Sequence, residues 1–492
     1  MKFLAPTLVL LLLARTVLAL DGHVLIHDPS TIVRCDDKYY TFGTGGSPLV
    51  SDDGWIWRLG TMPGRRGMAP DLIHVGDRYL MYVARNVGAQ PRADINLVWS
   101  KSLDPNSPNY KWVEAGVVAA SDGVEDCNAI DPGLLLDPND GRLWMVYGSY
   151  FGYIRLVELD PGTGQRANPG DTPVNLAVNC EAAILIFHEG WYYLLATHGS
   201  CCRGAESGYN IRMGRSRKVT GPYFDHEGID MIQGGGKLFC GSRGRHIGPG
   251  HFGLLDLGDG VQKFSCHYEA DLDRGGASVL DIRPLLWRDG WPVAGENLVE
   301  GTYQIESART GTVLELAVEG VPVGGPRPRR AGGPGVGASD GPPPGPGMFA
   351  GTGGGPIPPQ AVAEVSTNWP AGDVPPRLAN YLDQAQQKWT FAAVTNAGGY
   401  PGSPYFRINI AGTARTLAAS AGAELITVPA FTGAPEQLWR IDQLPDGTWR
   451  LMPKSVPSSQ ETLAVSAIGA SFATLSKFDP SSTKHRWIIK AP

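Results

Sequence analysis

The sequence predicts an all-β protein in which a five-bladed β-propeller is followed by a β-trefoil. Before Glu300 the chain is a series of short strand-like segments separated by Gly, Pro and Asp turns, without an amphipathic helical stretch. Aromatic segments recur in this part, and a Trp-containing triplet recurs in the rest. The 492 residues are enough for two domains, each with its own apolar core.

The propeller is predicted by a weak repeat. The aromatic segments KYYTFGTG, DRYLMYVAR, RLWMVYGSY and WYYLLATHG each follow a shorter strand that begins with a polar residue, and GPGHFGLLD supplies a fifth such strand. The leading residues are Asp28, Asp71, Asp131, Glu181 and His251. Their spacing of 43 to 70 residues suits four-stranded blades. Because the first strand of every blade lines the central channel, we expect these residues to converge there.

The trefoil is predicted by three tryptophans. Trp389, Trp439 and Trp487 occur at intervals of 50 and 48 residues, in the triplets QKW, QLW and HRW. A strand-like segment over 301–318 already belongs to this domain, and 24 of the next 40 residues from 321 are Gly or Pro. Such a composition cannot bury enough apolar surface to order itself, so we predict a disordered insertion at about 321–375.

The first residues are typical of a secretory signal. An apolar run over 8–14 is followed by small residues near position 19, which predicts a signal peptide over 1–19. We expect a secreted protein with a propeller over 20–297 and the trefoil over 298–492. No later apolar run is long enough to span a membrane. The seven cysteines could form bridges in an oxidising compartment, and the odd number leaves at least one unpaired.

Charge and motifs exclude several functions. The net charge is -6 and the basic residues are scattered, which argues against a nucleic-acid binder. The sequence has no zinc, phosphate-loop or dinucleotide motif, so no organic cofactor is expected. We expect a monomer that acts on an uncharged partner.

Three leading acids are candidates for chemistry. Asp28 and Asp131 each precede a proline, and Asp-Pro alone is an ordinary turn starter. Glu181 begins the apolar run AAILIF without a turn to explain it, and an ion pair with Arg212 or Arg215 is the alternative to a catalytic role. Three acids at the heads of separate inner strands would meet around one axis. Paired carboxylates are what glycoside hydrolysis requires.

Residues 24 to about 292 resemble the arabinan-degrading members of glycoside hydrolase family 43, most closely endo-1,5-α-L-arabinanases. The matching motifs, in order, are HDPS, APDL, NAIDP, GSYFGYI, EAAI, YNIRMGRSRKVTGPY and GPGHFG. The resemblance implies a five-bladed propeller that hydrolyses α-1,5-linked L-arabinofuranosyl bonds in arabinan with inversion. An exo-acting α-L-arabinofuranosidase, a β-xylosidase and a non-catalytic sugar-binding propeller are the alternatives.

The resemblance also implies roles for the acids. Asp28 would be the general base that activates water, and Glu181 the general acid that protonates the leaving oxygen. Asp131 would raise the pKa of the acid and orient it. For an inverting enzyme we predict that the carboxyl groups of Asp28 and Glu181 lie about 6.5–9.5 Å apart, which leaves room for the water.

Further site residues follow from the same motifs. The resemblance implies that Asn128, Ser149 and Tyr209 bind sugar hydroxyls. His251 matches a histidine that helps to hold a metal ion, often calcium, largely through water. The alternative for His251 is a histidine satisfied by backbone in a Gly-rich turn.

Some positions depart from the family pattern. Met68 replaces a Trp, Ala183 a Pro and Gly208 a Thr, which leaves the sugar preference open. The tail resembles the ricin-type trefoil, a carbohydrate-binding module. Its sugar-binding Asp is replaced in all three copies, which read Leu314-Glu315-Leu316, Leu417-Ala418-Ala419 and Leu463-Ala464-Val465. A working module and a packing domain without sugar sites are both compatible with this pattern.

Overall fold

The computed structural model describes residues 20–46, 48–61, 66–88, 91–316 and 371–492. The predicted signal peptide and the predicted insertion up to residue 370 lie outside the described residues. In the described part, strands and one-turn 3₁₀ helices make up the regular structure. None of the described helices has the length and apolar character needed to cross a membrane.

Twenty-one strands form five sheets, the blades of a propeller. Blade 1 contains β1 (Asp21–Gly22), β2 (Val33–Cys35), β3 (Lys38–Phe42), β4 (Pro48–Ser51) and β5 (Ile56–Leu59). Blade 2 contains β6 (Met68–Val75), β7 (Arg78–Arg85), β8 (Arg92–Ser100) and β9 (Val113–Asp122). Blade 3 contains β10 (Gly133–Leu136), β11 (Leu143–Tyr147), β12 (Tyr153–Leu159) and β13 (Val174–Val178). Blade 4 contains β14 (Glu181–His188), β15 (Trp191–His198), β16 (Asn210–Ser216) and β17 (Lys237–Cys240). Blade 5 contains β18 (His246–Asp256), β19 (Gln262–Asp271), β20 (Ala277–Arg288) and β21 (Trp291–Ala294).

The ring is closed by the segment between β1 and β2. The amide of Ile26 donates to the carbonyl of Ser278 at 3.2 Å, and the amide of Leu280 donates to the carbonyl of Val24 at 2.9 Å. Val24 and Ile26 are buried in one apolar cluster with side chains of blade 5. The first and last blades are therefore joined by both hydrogen bonds and packing.

Every inner strand is preceded or interrupted by a backbone bend. At each of these five bends a non-glycine residue has a positive φ, between 41° and 55°: Asp28, Ala69, Asp131, Ala182 and His251. Three of the five inner strands also change register here, as in a β-bulge. The bend redirects side chains to the end of the channel, while the strand beyond it keeps its apolar residues in the core.

Asp71 does not join the other leading residues. It lies two positions beyond the bend of its blade, where its buried carboxylate accepts hydrogen bonds from the amides of Thr31 and Leu134, both at 2.8 Å. Asp71 therefore ties blades 1, 2 and 3 together, and its role is structural.

The remaining strands form the predicted trefoil. The first repeat contains β22 (Gly301–Ser307), β23 (Val313–Leu316), β24 (Pro376–Ala379) and β25 (Trp389–Ala393), and it is followed by a hairpin of β26 (Gly399–Tyr400) and β27 (Ser403–Pro404). The second contains β28 (Phe406–Ile410), β29 (Thr416–Ala419), β30 (Leu425–Val428) and β31 (Trp439–Gln443). The third contains β32 (Trp449–Pro453), β33 (Leu463–Ile468), β34 (Phe472–Lys477) and β35 (Trp487–Lys490). The first and fourth strands of the repeats pair in a closed ring of six, and the second and third strands form three hairpins.

Eight one-turn 3₁₀ helices occur among the described residues. They are Thr44–Gly46, Gly204–Glu206, Met231–Gln233, Leu272–Arg274, Ala385–Gln387, Thr395–Ala397, Pro435–Gln437 and Thr483–His485. Three of them carry the Gln or His of the Trp triplets, immediately before the fourth strand of each repeat.

The three tryptophans fix the internal register of the trefoil. Each is fully buried and donates its indole N–H to a carbonyl of its own repeat, those of Leu314, Leu417 and Val465. Val465 therefore occupies the position of Leu314 and Leu417, and the third copy of the sugar-binding triplet is Val465-Ser466-Ala467. The predicted third copy, Leu463-Ala464-Val465, was wrong. The prediction aligned Leu463 with Leu314 and Leu417 because all three are leucines. The hydrogen bond from the Trp487 indole to the Val465 carbonyl shows that Val465 is their counterpart.

A buried ionic cluster joins the trefoil to the propeller. Asp442 is fully buried, and its carboxylate lies 2.6 Å from Arg440 Nε, 2.9 Å from Arg450 Nη2 and 3.6 Å from Lys263 Nζ of blade 5. Arg450 also contacts Asp259 of the propeller at 2.7 Å. Because several buried cations depend on Asp442, this carboxylate holds the two domains together.

We predict that Asp442→Asn lowers the free energy of unfolding by about 3–5 kcal/mol, because it leaves buried cations without their shared partner. Denaturant unfolding measures this change. Asp446→Asn is the matched control, since Asp446 pairs with Arg486 at the surface of the same domain and its loss should cost no more than about 1 kcal/mol. Equal losses in the two variants would contradict a special role for the buried cluster.

Candidate active site

Four of the five leading residues meet at one end of the channel, which we call the catalytic mouth: Asp28, Asp131, Glu181 and His251. Asp28 lies at its centre. One oxygen, Oδ2, accepts from Thr44 and lies 2.9 Å from His27 Nδ1, and the other lies 3.1 Å from His251 Nδ1. Burial alone would raise the pKa of Asp28, but the His251 and His27 imidazoles outweigh it and hold that pKa well below its usual range. Asp28 is therefore an ionised carboxylate that can accept a proton.

His27 lies between two carboxylates. Its Nδ1 faces Asp28 and its Nε2 lies 2.8 Å from Glu269 Oε1. Since each ring nitrogen faces an acceptor, both carry a proton. Burial lowers the pKa of His27, but the hydrogen bonds to Asp28 and Glu269 raise it to about 10. His27 is thus an imidazolium at neutral pH.

Glu181 is held by two hydroxyl groups. Ser149 Oγ donates to Oε2 at 2.7 Å, and the Tyr209 hydroxyl donates to Oε1. Burial raises the pKa of Glu181, these two hydrogen bonds oppose the rise, and the charge of Asp28 adds to it. The net effect is a raised pKa, so Glu181 keeps its proton to higher pH than an ordinary glutamate and is equipped to act as an acid.

The ion pairs considered for Glu181 do not form. Arg212 donates to Asn210 at 2.9 Å, and Arg215 donates to the carbonyl of Gly290 at 2.9 Å and lies over two tryptophan rings. The alternative explanation for a buried glutamate at this position is therefore wrong.

Asp131 is the third carboxyl at the mouth. Its Oδ2 accepts from the amide of Ala182 at 3.2 Å. Burial raises the pKa of Asp131 well above its usual range, and the nearby charges of Glu181 and Asp28 raise it further. Like charges in one dry site disfavour ionisation, so Asp131 is harder to ionise than an ordinary aspartic acid.

The predicted sugar-binding residues occupy different positions. Ser149 and Tyr209 are buried and both direct their hydroxyls at Glu181, so they orient the acid. Asn128 is also buried, and its Oδ1 has no hydrogen-bond partner among the described residues. Of the three, Asn128 retains an open acceptor for a ligand. Contact of each with sugar stays a prediction.

His251 and its neighbours do not fit direct calcium coordination. Burial lowers the pKa of His251 to about 4, so its imidazole is neutral, and its Nε2 has no hydrogen-bond partner in the described part of the chain. Asp28, His251 and His267 place one ligand atom each within 4.8 Å of the others. Two nitrogens and one carboxylate suit a transition metal, whereas calcium takes six to eight oxygens. Calcium would therefore contact His251 only through water, and no step of the mechanism depends on it.

Sequence reasoning missed His267 and Glu269. They alternate in β19, within the segment CHYEAD, and so face the same side of an otherwise buried strand. Two polar residues at a spacing of two in a buried strand were an available signal.

The amide of Cys202 donates to Glu269 Oε2 at 2.9 Å, and Cys202 forms a disulfide with Cys201. The other five cysteines are buried free thiols.

A five-bladed propeller that brings a carboxylate of lowered pKa and a carboxyl of raised pKa to one mouth has the pair of groups that glycoside hydrolysis requires. Residues 25–292 match the family described as glycosyl hydrolases family 43. The chain belongs to this family, as its motifs predicted.

Relatives with named activities are arabinan-degrading enzymes. The extracellular exo-α-(1→5)-L-arabinofuranosidase of Cellvibrio japonicus is 34% identical over 306 residues, which is 55% of this chain and 86% of that protein. The extracellular endo-α-(1→5)-L-arabinanase 1 of Bacillus subtilis is 30% identical over 54% of this chain and 87% of its own length. The crystal structure of an exo-1,5-α-L-arabinanase from a bovine ruminal metagenomic library is 34% identical, with a TM-score of 0.52, and covers 57% of this chain and 100% of that one.

We predict that Tyr209→Phe raises the pKa of Glu181, because the hydrogen bond it removes favours the ionised form and is worth about 1.5 kcal/mol or more. Glu181 must be protonated to act as an acid. The alkaline limb of the pH dependence of kcat/KM should therefore move to higher pH.

Tyr223→Phe is the control for this measurement. Tyr223 is a buried tyrosine that follows β16, and its hydroxyl donates to the carbonyl of Val219. The alkaline limb of the pH dependence of kcat/KM for Tyr223→Phe should coincide with that of the wild type. A limb that stays in place or moves to lower pH in Tyr209→Phe would contradict the assignment of this hydrogen bond.

Proposed function

We propose that the chain is a secreted, inverting glycoside hydrolase that cleaves α-1,5-linked L-arabinofuranosyl bonds within arabinan. The observation that carries this proposal is the contrast between two carboxyl groups at the catalytic mouth: the pKa of Asp28 is held well below its usual range, whereas burial raises the pKa of Glu181. The named activities of the relatives support arabinan as the substrate class. An uncharged polysaccharide also agrees with the scattered surface charge.

In the proposed mechanism Asp28 accepts a proton from a water molecule as that water attacks the anomeric carbon. Glu181 donates its proton to the leaving oxygen as the glycosidic bond breaks. Ser149 and Tyr209 then stabilise the carboxylate that develops on Glu181, because their hydroxyls already point at its two oxygens. Burial and the charge of Asp28 disfavour ionisation of Glu181 before the reaction and so keep the proton in place. Asp131 accepts from the amide of Ala182, the residue after Glu181, and so helps to position the acid.

We predict that Glu181→Gln lowers kcat on arabinan about 100- to 10,000-fold, because the amide cannot donate the required proton. The initial rate of reducing-sugar release measures the effect. Glu189→Gln is the matched control, since Glu189 lies exposed in the turn that follows β14, and its rate should equal that of the wild type. Retained activity in Glu181→Gln would refute the assignment of the acid.

We predict that the first product has the inverted anomeric configuration, detected by proton NMR early in the reaction. Inversion requires room for water between the base and the acid, which corresponds to carboxyl groups about 6.5–9.5 Å apart. A retained configuration would require a covalent intermediate on Asp28 and would overturn its proposed role as a base.

Exo cleavage by an α-L-arabinofuranosidase is the second candidate. It is favoured by a relative and a solved structure, each 34% identical and each named for exo action. Sizing the early products from debranched arabinan separates the two modes. Endo cleavage should give oligosaccharides of mixed length, whereas a single small product from the outset would establish exo action. Release of nothing from the polymer or from an aryl arabinofuranoside would reject both.

We propose that the trefoil is of the ricin type and acts as a packing domain. Glu315 is the only carboxylate left at the sugar-binding positions, and it is already bound by Arg377 at 2.7 Å and by Gln387 at 2.9 Å. Ser466, at the third position, is bound to His485 at 2.9 Å. Equal retention of the intact chain and of Glu315→Gln on immobilised arabinan is expected, and loss of retention in the variant would indicate a working sugar site.

A further inference from the structure

We propose that Glu269 is a positioning residue of the reaction, which fixes the base Asp28 through two histidines. The inference rests on the proposed role of Asp28. Glu269 itself is nearly enclosed, with 3% of its side chain exposed, and it contacts none of the three carboxyl groups at the mouth directly in the described structure.

The first connection runs through His27. Glu269 Oε1 lies 2.8 Å from His27 Nε2, and His27 Nδ1 lies 2.9 Å from Asp28 Oδ2. Because an imidazole ring is rigid, fixing one nitrogen fixes the direction of the other. Glu269 therefore sets the orientation of the hydrogen bond that Asp28 receives.

The second connection runs through His267. The backbone amide of Asp28 donates to His267 Nδ1 at 3.1 Å, which requires an unprotonated Nδ1. The proton of the neutral ring is then on Nε2, which faces Glu269 Oε1 at 3.4 Å. Glu269 thus selects the tautomer that holds the backbone of Asp28. This support matters because Asp28 has a φ of 52°, a conformation that non-glycine residues seldom adopt without surrounding contacts.

The two connections meet in a single carboxylate. His27 and His267 also stack on each other, with ring centroids 4.6 Å apart, and the second oxygen of Glu269 is held by the amide of Cys202. Glu269 is therefore fixed by an independent loop and holds both the side chain and the backbone of the base. No other described residue contacts both histidines with a carboxylate oxygen in this way.

The test is Glu269→Gln in the full chain, assayed on arabino-oligosaccharides of defined length. A glutamine keeps the size of the side chain but cannot accept from both imidazoles and the Cys202 amide with two carboxylate oxygens. We expect kcat per folded molecule to fall about 10- to 100-fold, with KM changed by no more than about 2-fold, because the base is misplaced while the sugar contacts remain. A purely structural role would lower the melting temperature and leave kcat per folded molecule unchanged.

Glu296→Gln is the matched control. Glu296 pairs with Arg283 at 2.5 Å beside the outer strand of blade 5, away from the catalytic mouth, so its loss removes a similar ion pair without touching the histidines. Its kcat should equal that of the wild type. If Glu269→Gln does not fold, Glu269→Asp replaces it, since the shorter carboxylate cannot reach both histidines, and a several-fold loss of kcat is expected.

The outcomes separate the two proposals. A wild-type enzyme inactive on arabinan and on arabinosides rejects the proposed function. An active wild type with an unchanged kcat in the folded Glu269 variant overturns the positioning role alone. A fall in kcat with constant KM, absent from Glu296→Gln, supports it.

Discussion

Buried negative charge at the catalytic mouth is the constraint on which the site depends. Four carboxyl groups lie within one poorly hydrated space, and they cannot all be ionised. A single imidazolium, His27, lies between Asp28 and Glu269 and stabilises both as anions. Glu181 and Asp131 form no ion pair with a cation in the described structure, and burial raises the pKa of both. The difference between the proposed base and the proposed acid thus follows from the side of the mouth on which the positive charge lies.

The propeller makes this arrangement possible by separating two tasks along each inner strand. The bend at the strand entry directs a functional side chain to the mouth, and the residues beyond it remain in the apolar core. In blades 1 and 3 an Asp occupies the bend itself and is followed by a proline, so the turn signal and the chemistry coincide at Asp28 and Asp131. In blade 4 the acid Glu181 precedes the bend. A stable ring of blades is therefore the frame for groups far apart in the sequence.

Much of this architecture could be predicted from the sequence. Four aromatic segments and the strand GPGHFGLLD predicted five blades, and the tryptophan spacing predicted the trefoil. The strand-leading positions pointed to Asp28, Asp131 and Glu181. What escaped prediction depends on pairing between distant segments. Asp71 has the same sequence context as the other acids, yet its position beyond the bend makes it a bridge between blades. Glu269 looks like a strand residue until His27 from the other end of the domain is placed beside it. The register of Ser466 depends on an indole hydrogen bond that no local pattern reports.

The closure of the ring has a consequence for biosynthesis. The segment around Val24 and Ile26 leaves the ribosome before any of the blades is complete, yet its partners, Ser278 and Leu280, emerge more than 250 residues later. Until then this segment lacks its hydrogen bonds to blade 5, and the apolar surface that later packs against blade 5 stays exposed to solvent. The propeller therefore completes its folding only after its last blade has been synthesised. A chain released earlier would expose the apolar surfaces at which the first and last blades would otherwise pack together.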